Sequence, residues 1–172
     1  KKISETKYIY VVGISMGGAL ALHLSTLFPV DGLVSAATVL QFNDHFKLRW
    51  FNPITKYFFT TFDKRKRYPK SIRKTLIFHG YDKYPMKALS EFFKMAKIIR
   101  NKLHMIHAPI LILHSNGDVT SRKENINIIK NGISSKNIQI KKYKNATHNM
   151  FIKSEDQKHI FHDILSFFKE IK

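Results

Sequence analysis

A serine enclosed by glycines, Gly13-Ile14-Ser15-Met16-Gly17, closes a run of β-favouring residues and opens an apolar helical pattern. In that setting a G-x-S-x-G stretch forms a nucleophile elbow, a strand-to-helix turn that presents a serine hydroxyl for covalent chemistry. The turn must be tight, so Ser15 is expected in a sparsely populated backbone conformation, with its hydroxyl projecting at the carboxyl end of the strand. Side chains two residues to either side would collide; Gly13 and Gly17 are read as removing them, and Gly18 with Ala19 as letting the helix approach the strand closely. The helix N-terminus directs N–H groups at developing negative charge, which makes the Met16 amide the expected oxyanion donor. Two other glycine-rich turns are excluded, because the chain has neither the G-x-G-x-x-G of a dinucleotide site nor the G-K-[ST] ending of a phosphate loop.

A serine hydroxyl is a weak nucleophile at neutral pH and needs an adjacent base, which in turn needs an orienting carboxylate. With this elbow the acid and then the histidine are expected on loops that follow later strands. Pro109-Ile110-Leu111-Ile112-Leu113-His114-Ser115 reads as such a strand and leads into Asn116-Gly117-Asp118; residues 137–143 read as the next and lead into Ala146-Thr147-His148. His148 is therefore expected to take the Ser15 proton and return it to the leaving group, with Asp118 fixing the imidazole tautomer and stabilising its cation. Asp44, after the second strand, is the alternative acid; Asp31 precedes its strand and belongs to the wrong sheet edge. Of the other histidines, His23, His159 and His162 fall in helical patterns and His114 within a strand, positions of packing or surface residues. His159 and His162 with Asp163 lack a further ligand at metal-binding spacing, so no metal is expected.

The elements that must hold these groups are legible as alternation. Residues 8–12 form a continuous β-favouring run suited to a strand buried on both faces of a parallel sheet. A helix is predicted from Met16 to about Leu27, with Pro29 beyond it as a stop, and a second strand over residues 31–40. A helix over residues 122–133 carries Ile126, Ile129 and Ile133, and Ser154 with Gln157 reads as a capping box for a last helix reaching nearly to Ile171. Strands alternating with helices indicate an α/β parallel sheet. Residues 41 to about 107 break the rhythm: Trp50, Phe51, Tyr57, Phe58, Phe59 and Phe62 crowd ahead of a basic cluster, and helical patterning returns over residues 86–103. This stretch reads either as an insertion over the end of the sheet or, for half of those aromatics, as ordinary core helices.

The 172 residues, 44% of them hydrophobic, suffice for one domain with a sizeable core. No apolar run approaches the ~20 residues of a bilayer-spanning helix and no signal-peptide pattern opens the chain, which reads as soluble and cytoplasmic. Absence of cysteine excludes disulfides and a thiol nucleophile. The net charge of +18 invites a nucleic-acid reading. Most of the thirty cations are lysines spread along the whole chain, however, so no specific nucleic-acid binding is expected. The cluster Lys64-Arg65-Lys66-Arg67 with Lys70, Arg73 and Lys74 is a candidate patch for weak contact with an anionic membrane surface, or for an acidic substrate or RNA.

Taken together, GISMGGALAL, PMKALSEFF, HAPILILHSNGD, ENINIIKNGI and KKYKNATHNMF resemble the α/β-hydrolase superfamily, and more narrowly small bacterial carboxylesterases and monoacylglycerol lipases. The resemblance implies a partial α/β-hydrolase fold with core segments 1–40 and 106–172 and a cap inserted over residues 41–105. It also implies Ser15, Asp118 and His148 as nucleophile, acid and base, and the Met16 amide in the oxyanion hole. A serine ester hydrolase without cofactor is expected, acting on small-molecule esters or lipids, with Trp50, Phe51, Tyr57, Phe58 and Phe62 lining an apolar acyl pocket. A thioesterase or acyltransferase would use the same residues, and a noncatalytic module binding a lipid, a partner or an anionic surface is the alternative. The chain departs from the family's pattern at Val119-Thr120-Ser121 after the acid and at Ala146-Thr147 before the histidine. Members also carry strands and a His-Gly oxyanion loop before the elbow, where this chain has seven residues, so it reads as the C-terminal part of such a hydrolase; His79-Gly80 follows the nucleophile and is read as a loop pair instead.

Overall fold

A computed structural model describes residues 7–41, 61–63, 83–152 and 155–172. The chain divides into two compact units, residues 1–43 with 96–172, and residues 44–95. The first is built on a four-stranded sheet of β1 (Tyr10–Ile14), β2 (Gly32–Ala36), β5 (Ile110–Ser115) and β6 (Ile138–Tyr143), in the order β1-β2-β5-β6. Every pairing in it is parallel, with Val12 opposite Val34, Val34 opposite Leu111 and Leu111 opposite Gln139. Parallel strands need long crossovers, which in this unit include α1 (Met16–Ser25) and α3 (Glu124–Gly132); α4 (Gln157–Glu170) follows β6.

Strands β2 and β5 are buried at every position, as their continuous apolar runs require between two helical layers. On one face Val34, Ala36, Leu111 and Leu113 pack with Tyr143, Ala146 and Met150, and with Ile160, Ile164 and Phe167 of α4. The three α4 residues recur at four and three positions, one stripe of a helix. Each large side chain buried there is worth roughly 1.5–3 kcal/mol, so this stripe anchors the end of the chain to the sheet. Helix α1 ends at Ser25, two residues earlier than its pattern predicts, because Thr26 closes it with a side-chain hydroxyl donated to the His23 carbonyl, at 2.7 Å. Likewise β2 stops at Ala36 rather than continuing to Leu40: Ala37 adopts a positive φ of 44°, which turns the chain out of the sheet while residues 37–40 stay buried.

In the second unit β3 (Thr61–Asp63) pairs antiparallel with β4 (Lys83–Pro85), placing Phe62 opposite Tyr84. Helix α2 (Met86–Lys102) follows β4 in the chain; Met86, Leu89, Phe92, Ala96 and Ile99 are its buried positions, spaced by three and four. Leu103–Met105 form a short 3₁₀ turn, and Leu103 meets Gly132 at the end of α3 so closely that a Cβ there would lie 2.7 Å from it. Among the described residues no helix is long and apolar enough to cross a membrane.

Candidate active site

Ser15 occupies the N-cap position of α1, where a serine ordinarily bonds a first-turn N–H. Here it makes no such bond; its backbone sits at φ 58°, ψ −120°, and the hydroxyl turns away from its own helix. Three contacts hold that conformation. Its N–H donates to the Ala36 carbonyl at 2.8 Å, and its carbonyl accepts from Ala19 at 3.2 Å and Val39 at 3.5 Å. Gly13 lets the chain fold back, since a Cβ there would lie 2.2 Å from the Gly17 carbonyl oxygen. Gly18 lets helix and sheet meet, since a Cβ there would lie 2.1 Å from the Thr38 hydroxyl. The expectation for Gly17 is corrected: an added Cβ would meet nothing within 4 Å among the described residues, because at this point the helix has turned its side chain away from β1. The steric demand falls on one side of the serine and on the second glycine after it.

The structure brings Ser15, His148 and Asp118 together. His148 Nε2 lies 2.7 Å from Ser15 Oγ, and His148 Nδ1 lies 2.8 Å from Asp118 Oδ2. An ionised carboxylate only accepts, so Nδ1–H donates to Asp118, and Nε2 of the neutral ring is left to accept the serine hydroxyl. The Asp118 side chain is fully buried, whereas that of His148 keeps 19% of its surface exposed. Its second oxygen accepts the N–H groups of Thr120 and Ser121, each at 2.8 Å. The carboxylate is thereby held by two backbone donors and one imidazole donor. Met16 opens α1, and its N–H belongs to the first turn, where no intrahelical acceptor exists.

The two loops that carry Asp118 and His148 are tied to each other. The Ser115 hydroxyl at the end of β5 donates to the Ala146 carbonyl, and Gly117 passes so near that carbonyl that a Cβ would lie 2.8 Å from it. Asp156, at the N-cap position of α4, makes no side-chain bond to its own helix; it accepts the Asn145 N–H at 3.0 Å. The buried Tyr143 donates its hydroxyl to Asp163 Oδ2 at 2.7 Å. Burial first and that acidic partner second push the Tyr143 phenol well above its usual range. Ser115, Tyr143 and Asp156 lie in ordinary strand and helix-start patterns, and only their contacts mark them as supports of the histidine loop.

A depression of about 410 Å³ flanks the acid, lined by His114, Asn116, Ser121, Arg122 and Glu124 among others, and its polar walls do not suit an acyl chain. His114 is 5% exposed. Its pKa is lowered by burial, reinforced by His148 and Lys142 and opposed by Asp118 and Glu124. Glu124 bonds its own backbone and Arg122, whose Nε lies 3.2 Å from Oε2, and both hold its carboxyl below the usual range.

Trp50, Phe51, Tyr57 and Phe58, the alternative acid Asp44, the basic cluster of residues 64–74, His79-Gly80 and Ser154 lie outside the described residues, as does the side chain of Phe62; the capping box expected of Ser154 and Gln157 is corrected, because α4 begins at Gln157 with Asp156 at its N-cap and the Gln157 amide donates to the Phe151 carbonyl. Asp31 is at the amino edge of the sheet, where its carboxylate accepts the Ile9 N–H at 2.7 Å. His159 and His162 are exposed on α4, and Asp163 is engaged by Tyr143. Among the described residues no group of three His, Asp or Glu side chains is placed to hold a metal ion.

A parallel sheet with helical crossovers and a serine at a strained strand-to-helix turn is the α/β-hydrolase fold. More narrowly, residues 1–155 match the family described as serine aminopeptidase, S33, and the chain belongs to that family. A carboxylesterase of Bacillus subtilis is 23% identical over 140 residues, which are 81% of this chain and 55% of that protein. The chain thus spans about half the length of this curated relative. Among solved structures, a metagenome-derived lipolytic enzyme superposes with a TM-score of 0.82 at 19% identity, over 98% of this chain and 67% of the other. The monoacylglycerol lipase of Paleococcus ferrophilus superposes with a TM-score of 0.74 at 18% identity, over 99% and 72%. At these identities the structures are alike in fold.

Proposed function

We propose that the chain carries the catalytic half of a serine hydrolase that cleaves carboxylic esters with apolar acyl groups, a carboxylesterase or monoacylglycerol lipase, through an acyl-enzyme. The observation that carries this reading is the unbroken relay from Ser15 Oγ through His148 to Asp118, with links of 2.7 and 2.8 Å. Ser15 Oγ attacks the ester carbonyl as His148 Nε2 takes its proton. The negative charge that develops on the carbonyl oxygen faces the Met16 N–H, a donor already oriented and therefore without reorganisation cost. His148, now a cation stabilised by Asp118, returns the proton to the leaving alcohol. Water, deprotonated by the same nitrogen, then releases the acid and restores Ser15. The aromatic cluster Trp50, Phe51, Tyr57, Phe58 and Phe62 is the proposed acyl pocket, on a segment of residues 41–105 acting as a cap. Ester preference follows the carboxylesterase relative, while the family's description favours amide cleavage at a peptide N-terminus as the second reading.

A fluorophosphonate probe tests the relay. It should label the chain at Ser15, labelling should vanish in Ser15→Ala, and His148→Ala should slow it by roughly 10³-fold or more. An intact chain that resists labelling while still binding vesicles or lipid would favour a noncatalytic module. Faster turnover of p-nitrophenyl acyl esters than of aminoacyl p-nitroanilides separates the ester reading from the aminopeptidase one.

A further inference from the structure

Behind the acid, on the side away from His148, a second polar cluster occupies the interior. Asn125, on α3 and 2% exposed, is its centre. Its Oδ1 accepts the N–H groups of Leu40 at 3.2 Å and Gln41 at 2.7 Å, and its Nδ2 donates to the Gln41 carbonyl at 2.9 Å and to Ser121 Oγ at 3.1 Å. The two backbone N–H groups demand an acceptor, so the amide orientation is set by its partners, and the whole bonding capacity of the side chain is used. Ser121, 1% exposed, passes the connection on: its hydroxyl donates to the Thr38 carbonyl at 2.7 Å, while its N–H is one of the two backbone donors on Asp118 Oδ1. Arg100 adds a donor to the Leu40 carbonyl at 2.5 Å.

We propose that Asn125 is a positioning residue for the acid: through Ser121 it locks the Asp118 loop onto residues 38–41, and so sets the carboxylate against His148. This rests on the relay proposed above. The physical case is that a buried network with every member satisfied admits one arrangement, and removing a member leaves buried groups unpaired. Alanine at 125 would strip partners from two N–H groups, one carbonyl and one hydroxyl together. Ser121 is the member of that set that also bonds the carboxylate, and its displacement moves a backbone donor off Asp118. Ser121 also fastens the loop after the acid directly, by a hydroxyl donated to a carbonyl 83 positions earlier.

The test is a double-mutant cycle read by the rate of fluorophosphonate labelling, with thermal melting as the folding control. Asn125→Ala should slow labelling of the otherwise unaltered chain by roughly 10- to 100-fold, the loss that follows a displacement of up to about 1 Å in a catalytic group. In an Asp118→Asn background the same substitution should change the rate by less than about threefold, since the group it positions is already disabled. The loss should fall on the labelling rate at saturating probe, with the probe concentration for half-maximal rate changed by less than about twofold, because the reacting geometry and not the probe's binding surface is altered. Equal slowing in both backgrounds would show a general structural role and overturn the proposal, as would no slowing at all. If Asn125→Ala fails to fold, Ser121→Ala removes the same link with a smaller perturbation and is judged by the same comparison. Absence of labelling in the unaltered chain would instead sink the relay itself.

Discussion

Alanine at position 13 and alanine at position 17 should have opposite effects, although the two glycines are symmetric about the serine. In Gly13→Ala the new Cβ would lie 2.2 Å from the Gly17 oxygen, 2.5 Å from its carbonyl carbon and 2.8 Å from the Gly18 nitrogen. These are main-chain atoms of the first turn of α1 and cannot rotate aside. Ordinary contact needs roughly 3.5 Å, so strand and helix must separate by about 1 Å. Overpacking of a rigid site costs about 1–3 kcal/mol, and the backbone partners here place Gly13→Ala at the upper end, about 3 kcal/mol. For a chain of this size that lowers the melting temperature by about 6–12 °C. Because the strand must pull away from the turn that carries Ser15, labelling by a fluorophosphonate should also slow by about 10²-fold. Gly17→Ala meets no described atom and sits within a helix, where alanine is preferred by roughly 0.5–1 kcal/mol. It should raise the melting temperature by about 1–4 °C. The two variants, purified side by side and compared by melting and by labelling, decide the matter: equal effects, or a Gly13→Ala chain that melts and labels like the parent, would refute the steric account of the elbow.

Two further outcomes concern stability. His114 is held neutral mainly by burial, so its folded pKa lies below that of the unfolded chain; the unfolded state then binds more protons below about pH 6.5, and stability is full above that pH and lost as pH falls through it. Urea midpoints should drop between pH 7.5 and 5.5, and His114→Asn should flatten part of that slope; an unchanged slope would remove His114 as a source. Tyr143→Phe deletes the hydroxyl bonded to Asp163 and should cost about 1.5 kcal/mol, or about 3–6 °C in melting temperature, a loss that would be absent if water replaces the bond.

Much of the sheet was legible because buried parallel strands are apolar without alternation, as in Ile110 to Leu113, and because helices leave a stripe such as Ile160, Ile164 and Phe167. The order of Ser15, Asp118 and His148 along the chain was legible for the same reason, each standing just beyond a readable strand. What sequence could not convey was which neighbours fill the space around them. Gly17 looked like Gly13 because spacing carries no information about where a Cβ points. Asn125 looked like one more polar residue of an amphipathic helix, since its partners Leu40 and Gln41 are 85 and 84 positions away. Asp156 and Ser15 both stand where a residue would cap its own helix, and both bond elsewhere, a choice made by tertiary contacts rather than local preference.

The hydroxyl of Ser15 and the imidazole that receives its proton are separated by 133 positions of chain. At a ribosomal pace of about 5–20 residues per second, that separation takes roughly 7 to 27 seconds to traverse. Throughout that interval the nascent polypeptide displays a serine with no base, beside strands still waiting for their last neighbour. Under the proposed relay, the centre is therefore assembled late, when β6 docks and delivers the loop that follows it, and an interrupted translation product leaves the ribosome without its base.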